Sequence, residues 1–368
     1  MSDLGLFDRV QRRVLRATLR LPRRVRARIA GAPPVNDRGT VLDPETHWVA
    51  WLDARLGMAM VHSSVRSARE GMVRAVQVVE SAPAEVRSCD DPSVGGVPAR
   101  RYVPFVQHPP VLVYLHGGGW ACGDLRTHDR LCRRLCAEAG YLVISVDYRL
   151  APEHPYPAGR DGCVAALRDV LGRAEELGGD PDRVVVGGDS AGGNIAALAC
   201  LALRNAGGPL PAHQLLIYPA TDLRRLTESY RLFAEGFLLT GAQIDWYLAQ
   251  YRAEPEDPGA SPLLATSHAG LPPATVVTAG FDPLRDEGEA YVATLEEAGV
   301  PVTHLHAADL VHGFANMDGA VPAADRMVGR IVHALRDAAL QPPRTASSST
   351  SNTSSDPGGI TSGTPRLP

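Results

Sequence analysis

From Glu85 onward, short apolar runs alternate with helical stretches. The runs predict strands at Glu85–Ser88, Ala99–Val103, Val111–Leu115, Leu142–Val146, Val184–Val186, Leu215–Tyr218, Thr275–Thr278 and Thr303–His306. Helical patterns at Thr127–Ala139, Gly159–Leu177, Gly192–Asn205 and Glu287–Ala298 lie between them. Strands alternating with helices predict βαβ units and a largely parallel sheet. Because the runs are apolar at every position, the strands are expected to be buried on both faces.

The chain before residue 81 has a different texture. Asp8–Ala30 is rich in arginine, with Val10, Val14, Ala17 and Leu21 at helical spacing and Pro22 dividing the stretch. The favoured reading is a helix that packs over the main domain and keeps a charged face in solvent. The other is a basic amphipathic helix in weak association with an anionic membrane surface. Amphipathic patterns at Pro44–Met60 and Ser64–Val79 complete a helical cap region over 1–80. The catalytic domain is expected over 81–340, with a cap insertion at 222–252. Aromatic residues are only 5% of the chain, yet Phe233, Phe237, Trp246 and Tyr247 gather in that insertion. This predicts a hydrophobic lid in which Phe233, Phe237, Leu238 and Trp246 line a substrate pocket. Residues 341–368 are rich in Ser, Thr, Pro and Gly without apolar periodicity, which predicts a disordered tail.

Composition narrows the class without naming a chemistry. A chain of 368 residues, 45% hydrophobic with a net charge of −4, is that of an ordinary globular protein, and its mild acidity gives no reason to expect nucleic acid as a partner. All 37 basic residues are arginine. The six cysteines form no C-x-x-C pair and no zinc-like spacing with histidine, so no metal is expected and a reducing, cytoplasmic setting fits. Neither a cleavable signal peptide nor a membrane-spanning run of about 20 apolar residues is expected. A homodimer is compatible with the sequence.

The most informative stretch is Arg183–Asn194, R-V-V-V-G-G-D-S-A-G-G-N, which reads as strand, sharp turn, helix. It spells G-x-S-x-G across the turn and places Ser190 where its hydroxyl is exposed to a histidine. Alone, the pentapeptide also fits a close-packed glycine turn that catalyses nothing. The strand Val111–Leu115 then runs into His116-Gly117-Gly118-Gly119-Trp120, whose glycines expose backbone N–H groups. Together with the N–H of Ala191, such donors suit the oxyanion of a tetrahedral intermediate.

With these motifs, Y-R-L-A-P-E at 148–153, D-P-L-R-D-E-G at 282–288 and H-G-F at 312–314 complete an ordered set. The chain resembles the hormone-sensitive-lipase-like family of α/β-hydrolases over roughly residues 85–339, and within it carboxylesterases of mycobacteria and related actinobacteria. The resemblance implies an α/β-hydrolase fold, a mostly parallel eight-stranded sheet with helices on both faces and a helical cap. It implies Ser190 as nucleophile, His312 as general base and Asp282 as its partner, in the chain order of that fold. Gly117, Gly118, Gly119 and Ala191 would form the oxyanion hole, with Gly117 alternatively supporting the turn. His116, Trp120 and Asp189 would support the site. Asp286, Asp309, His304 and His306 are assigned no part in the triad, and Cys122 is placed at the border of the pocket as a source of thiol sensitivity.

The implied activity is hydrolysis of short- to medium-chain carboxylic esters through an acyl-enzyme, with a small-molecule ester as partner and no cofactor. An amidase, arylformamidase or acyltransferase would use the same triad. A non-catalytic ligand receptor on this fold is the alternative from another class; such relatives typically lose the histidine that His312 supplies here.

Overall fold

The computed structural model describes residues 6–56 and 64–340. The expected tail 341–368 and the end of the predicted helix at 57–60 lie outside the described residues. Four helices come first: α1 (Leu6–Leu19), α2 (Arg23–Ala30), α3 (Pro44–Leu56) and α4 (Val65–Val79). Pro22, which has no N–H to continue a helical ladder, separates the first two, and Ser64 and Ser67 form a capping box at the start of α4.

The sheet opens with β1 (Ser88–Asp90), β2 (Ser93–Val94), β3 (Val97–Val103) and β4 (Val111–Leu115). The chain continues through α5 (Asp129–Ala139), β5 (Leu142–Val146), α6 (Ala158–Arg173), β6 (Val184–Asp189) and α7 (Ala191–Asn205). It then runs through β7 (His213–Ile217), α8 (Glu228–Phe233) and α9 (Gly241–Tyr251). β8 (Ala274–Phe281), α10 (Arg285–Glu297), β9 (Val302–Val311) and α11 (Pro322–Leu340) close the described fold.

Among the described residues the sheet has nine strands in the order β1-β3-β5-β4-β6-β7-β8-β9, with β2 attached to β3. Strands β4 to β9 are parallel, while β1, β2 and β3 pair antiparallel. The ninth strand, beyond the eight expected, is β2. It is two residues long and pairs with β3 through Ser93 and Val94, too short for an apolar run to signal. β1 lies later than Glu85–Ser88 because its pairing is polar: Ser88 to Asp90 are exposed, and Asp90 is forked by Arg101 on β3. α11 was not singled out by pattern, although its apolar face packs on the same side of the sheet as α5.

Helices α6, α7 and α10 cover one face of the sheet and α5 and α11 the other. The chain leaves β4 toward β5 on one side and later reaches β6 on the other. The crevice at such a switch point, outside the carboxyl ends of the strands, is where open α/β sheets bind ligands. The loop 116–120 and the turn at Ser190 both emerge there.

The N-terminal helices are tied to this body by buried apolar contact and by charge. Leu15 is buried and Leu19 half-buried against the core, and Trp48 donates its indole N–H to Thr18 Oγ1 at 3.1 Å. The stripe Val10, Val14 and Leu21 is therefore not the packing face: all three are exposed. Between α2 and α3, Asp37 receives a fork from the buried Arg285 at 2.7 and 2.9 Å, and Arg38 forks Glu289 at 2.6 Å. Removing one partner of a pair that includes a buried charge costs about 3–5 kcal/mol, so the Arg285 fork outweighs the exposed pairs, worth about 0–1 kcal/mol each. Among the described residues no helix is long and apolar enough to cross a membrane.

The β8–β9 pairing carries a register shift between Ala279 and Phe281, and Gly280 sits in it with Ala308 of β9 pressed against the position of a side chain. Gly280→Ala would drive a methyl into the Ala308 carbonyl. The expected cost is about 1–3 kcal/mol of overpacking, read as a lower thermal midpoint, with activity reduced because β8 and β9 carry Asp282 and His312 at their ends. An unchanged midpoint would contradict this packing.

Candidate active site

Ser190 sits between the end of β6 and the first residue of α7. Its φ of 54° and ψ of −121° put a non-glycine residue in a strained conformation, at a cost of about 1–3 kcal/mol. The turn is held by crowding. A side chain at Gly188 or Gly192 would collide with the Leu115 carbonyl at the end of β4, and the Ser190 N–H donates to Ile217 O at 2.8 Å. The hydroxyl is thereby raised clear of the sheet.

His312 follows β9 and Asp282 follows β8. His312 Nε2 lies 2.9 Å from Ser190 Oγ, and His312 Nδ1 lies 2.8 Å from Asp282 Oδ2. Asp282 is fully buried, and its other oxygen accepts the Leu284 N–H at 2.8 Å, which fixes the carboxylate plane. With Nδ1–H donated to Asp282, Nε2 is left as the acceptor for a serine proton. Tyr218, in a positive-φ conformation after β7, packs its ring 4.6 Å from the His312 ring. No motif pointed to Tyr218.

Three N–H groups border the cavity at the serine. Gly118 and Gly119 line the same cavity as Ser190, both with positive φ, and their N–H groups carry no partner among the described residues. Ala191 is the first residue of α7, where N–H groups have no intrahelical acceptor. Gly117 is a correction. Its N–H donates to Asp189 Oδ1 at 2.9 Å, so it is committed to the brace and not free for an oxyanion.

Asp189 is the centre of that brace. It accepts from Tyr114 Oη at 2.8 Å and from Gly117 N, and His128 Nε2 lies 3.1 and 3.2 Å from its two oxygens. Burial alone would push this carboxyl up; the nearby His128, the Tyr114 hydroxyl and the Gly117 N–H bring it below the ordinary aspartate range. His128 lies in an ordinary T-H-D run that gave no signal. His116 is fully buried with Nδ1 2.8 Å from Gly117 O, stacked on Tyr148 at 4.3 Å, and burial lowers its pKa to about 4, so it is neutral. Trp120 stacks on Tyr251 at 4.4 Å and donates to Asn194 Oδ1 at 3.3 Å, which ties the glycine loop to α9 and α7.

The cavity over Ser190 measures about 210 Å³. Its far wall is built mainly by the N-terminal helices: Leu15, Val49, Met72, Ala75, Val76 and Val79. From the insertion come Leu238, Leu239, Gln243 and Tyr247. Phe233, Phe237 and Trp246 do not line it. Phe233 and Phe237 pack with Phe281, and Arg285 lies 5.2 Å over Phe233, while Trp246 packs edge-on to Tyr247. The clustering marks residues that anchor the insertion to the main core, not its cavity-facing side. Cys122 does not line the cavity but is buried directly behind its wall, beside Tyr247 and Met72, and burial pushes its thiol up to about 12, which removes the basis for thiol sensitivity.

Of the excluded groups, Asp286 pairs with Arg285 and caps Ser229, and His304 and His306 share Thr278 Oγ1 at 2.8 Å each. Asp309 lies within β9, although no strand was expected there. Among the described residues no cluster of His, Cys, Asp and Glu is arranged to hold a metal.

A family profile described as alpha/beta hydrolase fold matches residues 112–316. The chain is 50% identical over 233 residues to the carboxylic ester hydrolase LipN of Mycobacterium tuberculosis, covering 61% of this chain and 62% of LipN. It is 46% identical over 251 residues to the carboxylesterase NlhH of the same species, covering 66% of this chain and 78% of NlhH. Among solved structures it is similar to the ester-hydrolase EH1AB1 from the metagenome of Lake Arreo, at a TM-score of 0.73 and 40% identity, over 81% of this chain and 97% of that one. It is likewise similar to an esterase of Pyrobaculum calidifontis, at a TM-score of 0.75 and 34% identity, over 82% of this chain and 100% of that one. The match to LipN thus spans less than two thirds of that relative, while the others span most or all of theirs. In fold, in the order of its motifs and in these likenesses, the chain belongs to the α/β-hydrolases, in their hormone-sensitive-lipase-like family.

Proposed function

We propose that the chain is a serine carboxylesterase acting on short- to medium-chain esters from a cytoplasmic, reducing setting. The observation that carries this reading is the unbroken relay from Ser190 Oγ through His312 to Asp282, at 2.9 and 2.8 Å, at the floor of an apolar cavity. His312 Nε2 takes the proton as Ser190 Oγ bonds to the ester carbonyl carbon. The negative charge moves to the carbonyl oxygen, within reach of the N–H groups of Gly118, Gly119 and Ala191. Collapse breaks the bond to the alkoxy oxygen, which leaves as alcohol with the proton from His312. Water then repeats the sequence on the acyl-enzyme, with the same imidazole as base and acid. No step needs a cofactor.

Size and polarity of the cavity set the substrate class. About 210 Å³ is below the roughly 300–1,000 Å³ of sites for drug-sized ligands, which favours small acyl or alcohol groups. An acyl-chain-length series of aryl esters should peak at short to medium chains. Ser190→Ala should abolish that turnover while the fold is retained. Near wild-type rates in this variant would overturn the assignment, and faster turnover of matched amides than esters would move the reading to an amidase.

One group in the wall runs against the apolar trend. Asp53 on α3 lines the cavity, makes no ion pair or hydrogen bond among the described residues, and burial raises its pKa from 3.8 to about 6. Below pH ~4 the group is protonated in both folded and unfolded chains and costs nothing. Between that pH and about 6 the unfolded chain ionises while the folded one resists, and above about 6 the whole penalty is present. A shift of this size corresponds to on the order of 2–3 kcal/mol. Asp53→Asn should therefore raise the thermal midpoint at pH 8 and leave it almost unchanged at pH 4. A variant equally stabilised at both, or stabilised at neither, would show that Asp53 is not buried as an unpaired acid.

A further inference from the structure

We propose that the outward face of α1 and the turn into α2 is a docking surface for anionic lipid bilayers. α1 turns Leu15, Leu19 and Thr18 inward, and Arg12 is fixed by its bond to Glu80 O at 2.9 Å. Its opposite side meets no partner among the described residues. Val10, Val14, Leu21 and Ile29 are 49%, 50%, 36% and 50% exposed, an aliphatic stripe in solvent on a segment that already has a separate packing face. Arg13, Arg16, Arg20, Arg24 and Arg28 flank it, exposed and without ion pairs among the described residues.

Charge names the occupant. Residues 6–30 hold nine arginines and one aspartate, although the chain as a whole is at −4. A basic helix with a shallow aliphatic stripe lies in the plane of the headgroups, its apolar side chains at the acyl boundary and its arginines on the phosphates. A nucleic acid would satisfy the arginines and leave four aliphatic side chains against phosphate. A second copy would bring two like-charged faces together. Of these three, an anionic bilayer alone satisfies both the charge and the stripe. Leu15 on the inward side of the same helix lines the catalytic cavity, so docking would set that cavity beside the lipid, where apolar esters partition. The docking itself does not depend on the catalytic reading.

The test is co-sedimentation of the full chain with vesicles of phosphatidylcholine alone or with phosphatidylglycerol added, at low salt and near ~1 M, where screening shortens to about 3 Å. The expected result is binding to the anionic vesicles at low salt only. Val14→Asp with Leu21→Asp should abolish it, and Arg13→Gln with Arg16→Gln and Arg20→Gln should weaken it at least about tenfold. Both variants should hydrolyse a soluble aryl ester as the parent chain does, so that loss of binding is not loss of fold. Equal binding to neutral vesicles, no binding at all, or full retention by either variant would overturn the proposal. So would a dimer abolished by the same substitutions, or tighter binding to a single-stranded RNA than to the vesicles at matched salt.

Discussion

Everything at this site depends on a carboxylate that stands outside the Ser190–His312–Asp282 relay. Asp189 is buried at the end of β6, where an isolated charge would cost several kcal/mol. That cost is offset by Tyr114 from β4, by the Gly117 N–H from the glycine loop and by His128 ahead of α5. The same bonds fix the loop of Gly118 and Gly119 relative to the next residue in the chain, Ser190. The separation between the proposed nucleophile and the proposed oxyanion donors is thus set by one side chain. A misplacement near 1 Å there would cost about a hundredfold in rate.

The strain at Ser190 makes sense in that frame. Its positive φ is unfavourable alone, and persists because β4, β6 and α7 meet at contacts that only glycine allows at 188 and 192. The β6 ladder continues through Gly187 and Gly188 beside Leu215 and Leu216, which carries the strand three residues past Val186, to the residue before the serine. Rigidity of the parallel sheet is therefore passed directly to the nucleophile. The cap, by contrast, is assembled from distant pieces. Leu15, Val49 and Met72 come from three N-terminal helices, and the fork from Arg285 to Asp37 holds the connecting segment against α10.

What could be read in the chain follows from how local each signal is. The parallel strands β4 and β5 were placed to the residue because apolar runs in doubly covered sheets are continuous. Ser190 could be nominated from its G-x-S-x-G turn, and Asp282 and His312 from the family's ordered motifs, each just past an expected strand; in the structure the three meet within hydrogen-bond reach. β1 and β2 were shifted or missed because exposed polar pairing leaves no apolar trace. His128, Tyr218 and Asn194 are illegible for another reason: they act through contacts across 61 residues of sequence to Asp189, across 94 to the His312 ring and across 26 to the Ala220 carbonyl, and nothing in their neighbours encodes them. The aromatic cluster in the insertion misleads because Phe233 and Phe237 pack on Phe281 of β8 and anchor the insertion to the main core. On α1, apolar periodicity marked the exposed stripe, while Leu15 and Leu19 did the packing.

The brace at Asp189 is most directly tested by the separate kcat and KM of Asp189→Asn on a short-chain aryl ester, in a variant whose circular dichroism shows it folded. The amide keeps the volume and one oxygen for the Tyr114 hydroxyl and the Gly117 N–H, but removes the charge and puts an NH2 donor where His128 now faces a carboxylate oxygen, which weakens the brace. The expected result is a kcat lower by roughly 10²-fold, with KM changed far less, since the loss falls on the transition state. A folded variant with wild-type kcat would contradict the account, because the donors facing Ser190 would then be positioned without Asp189.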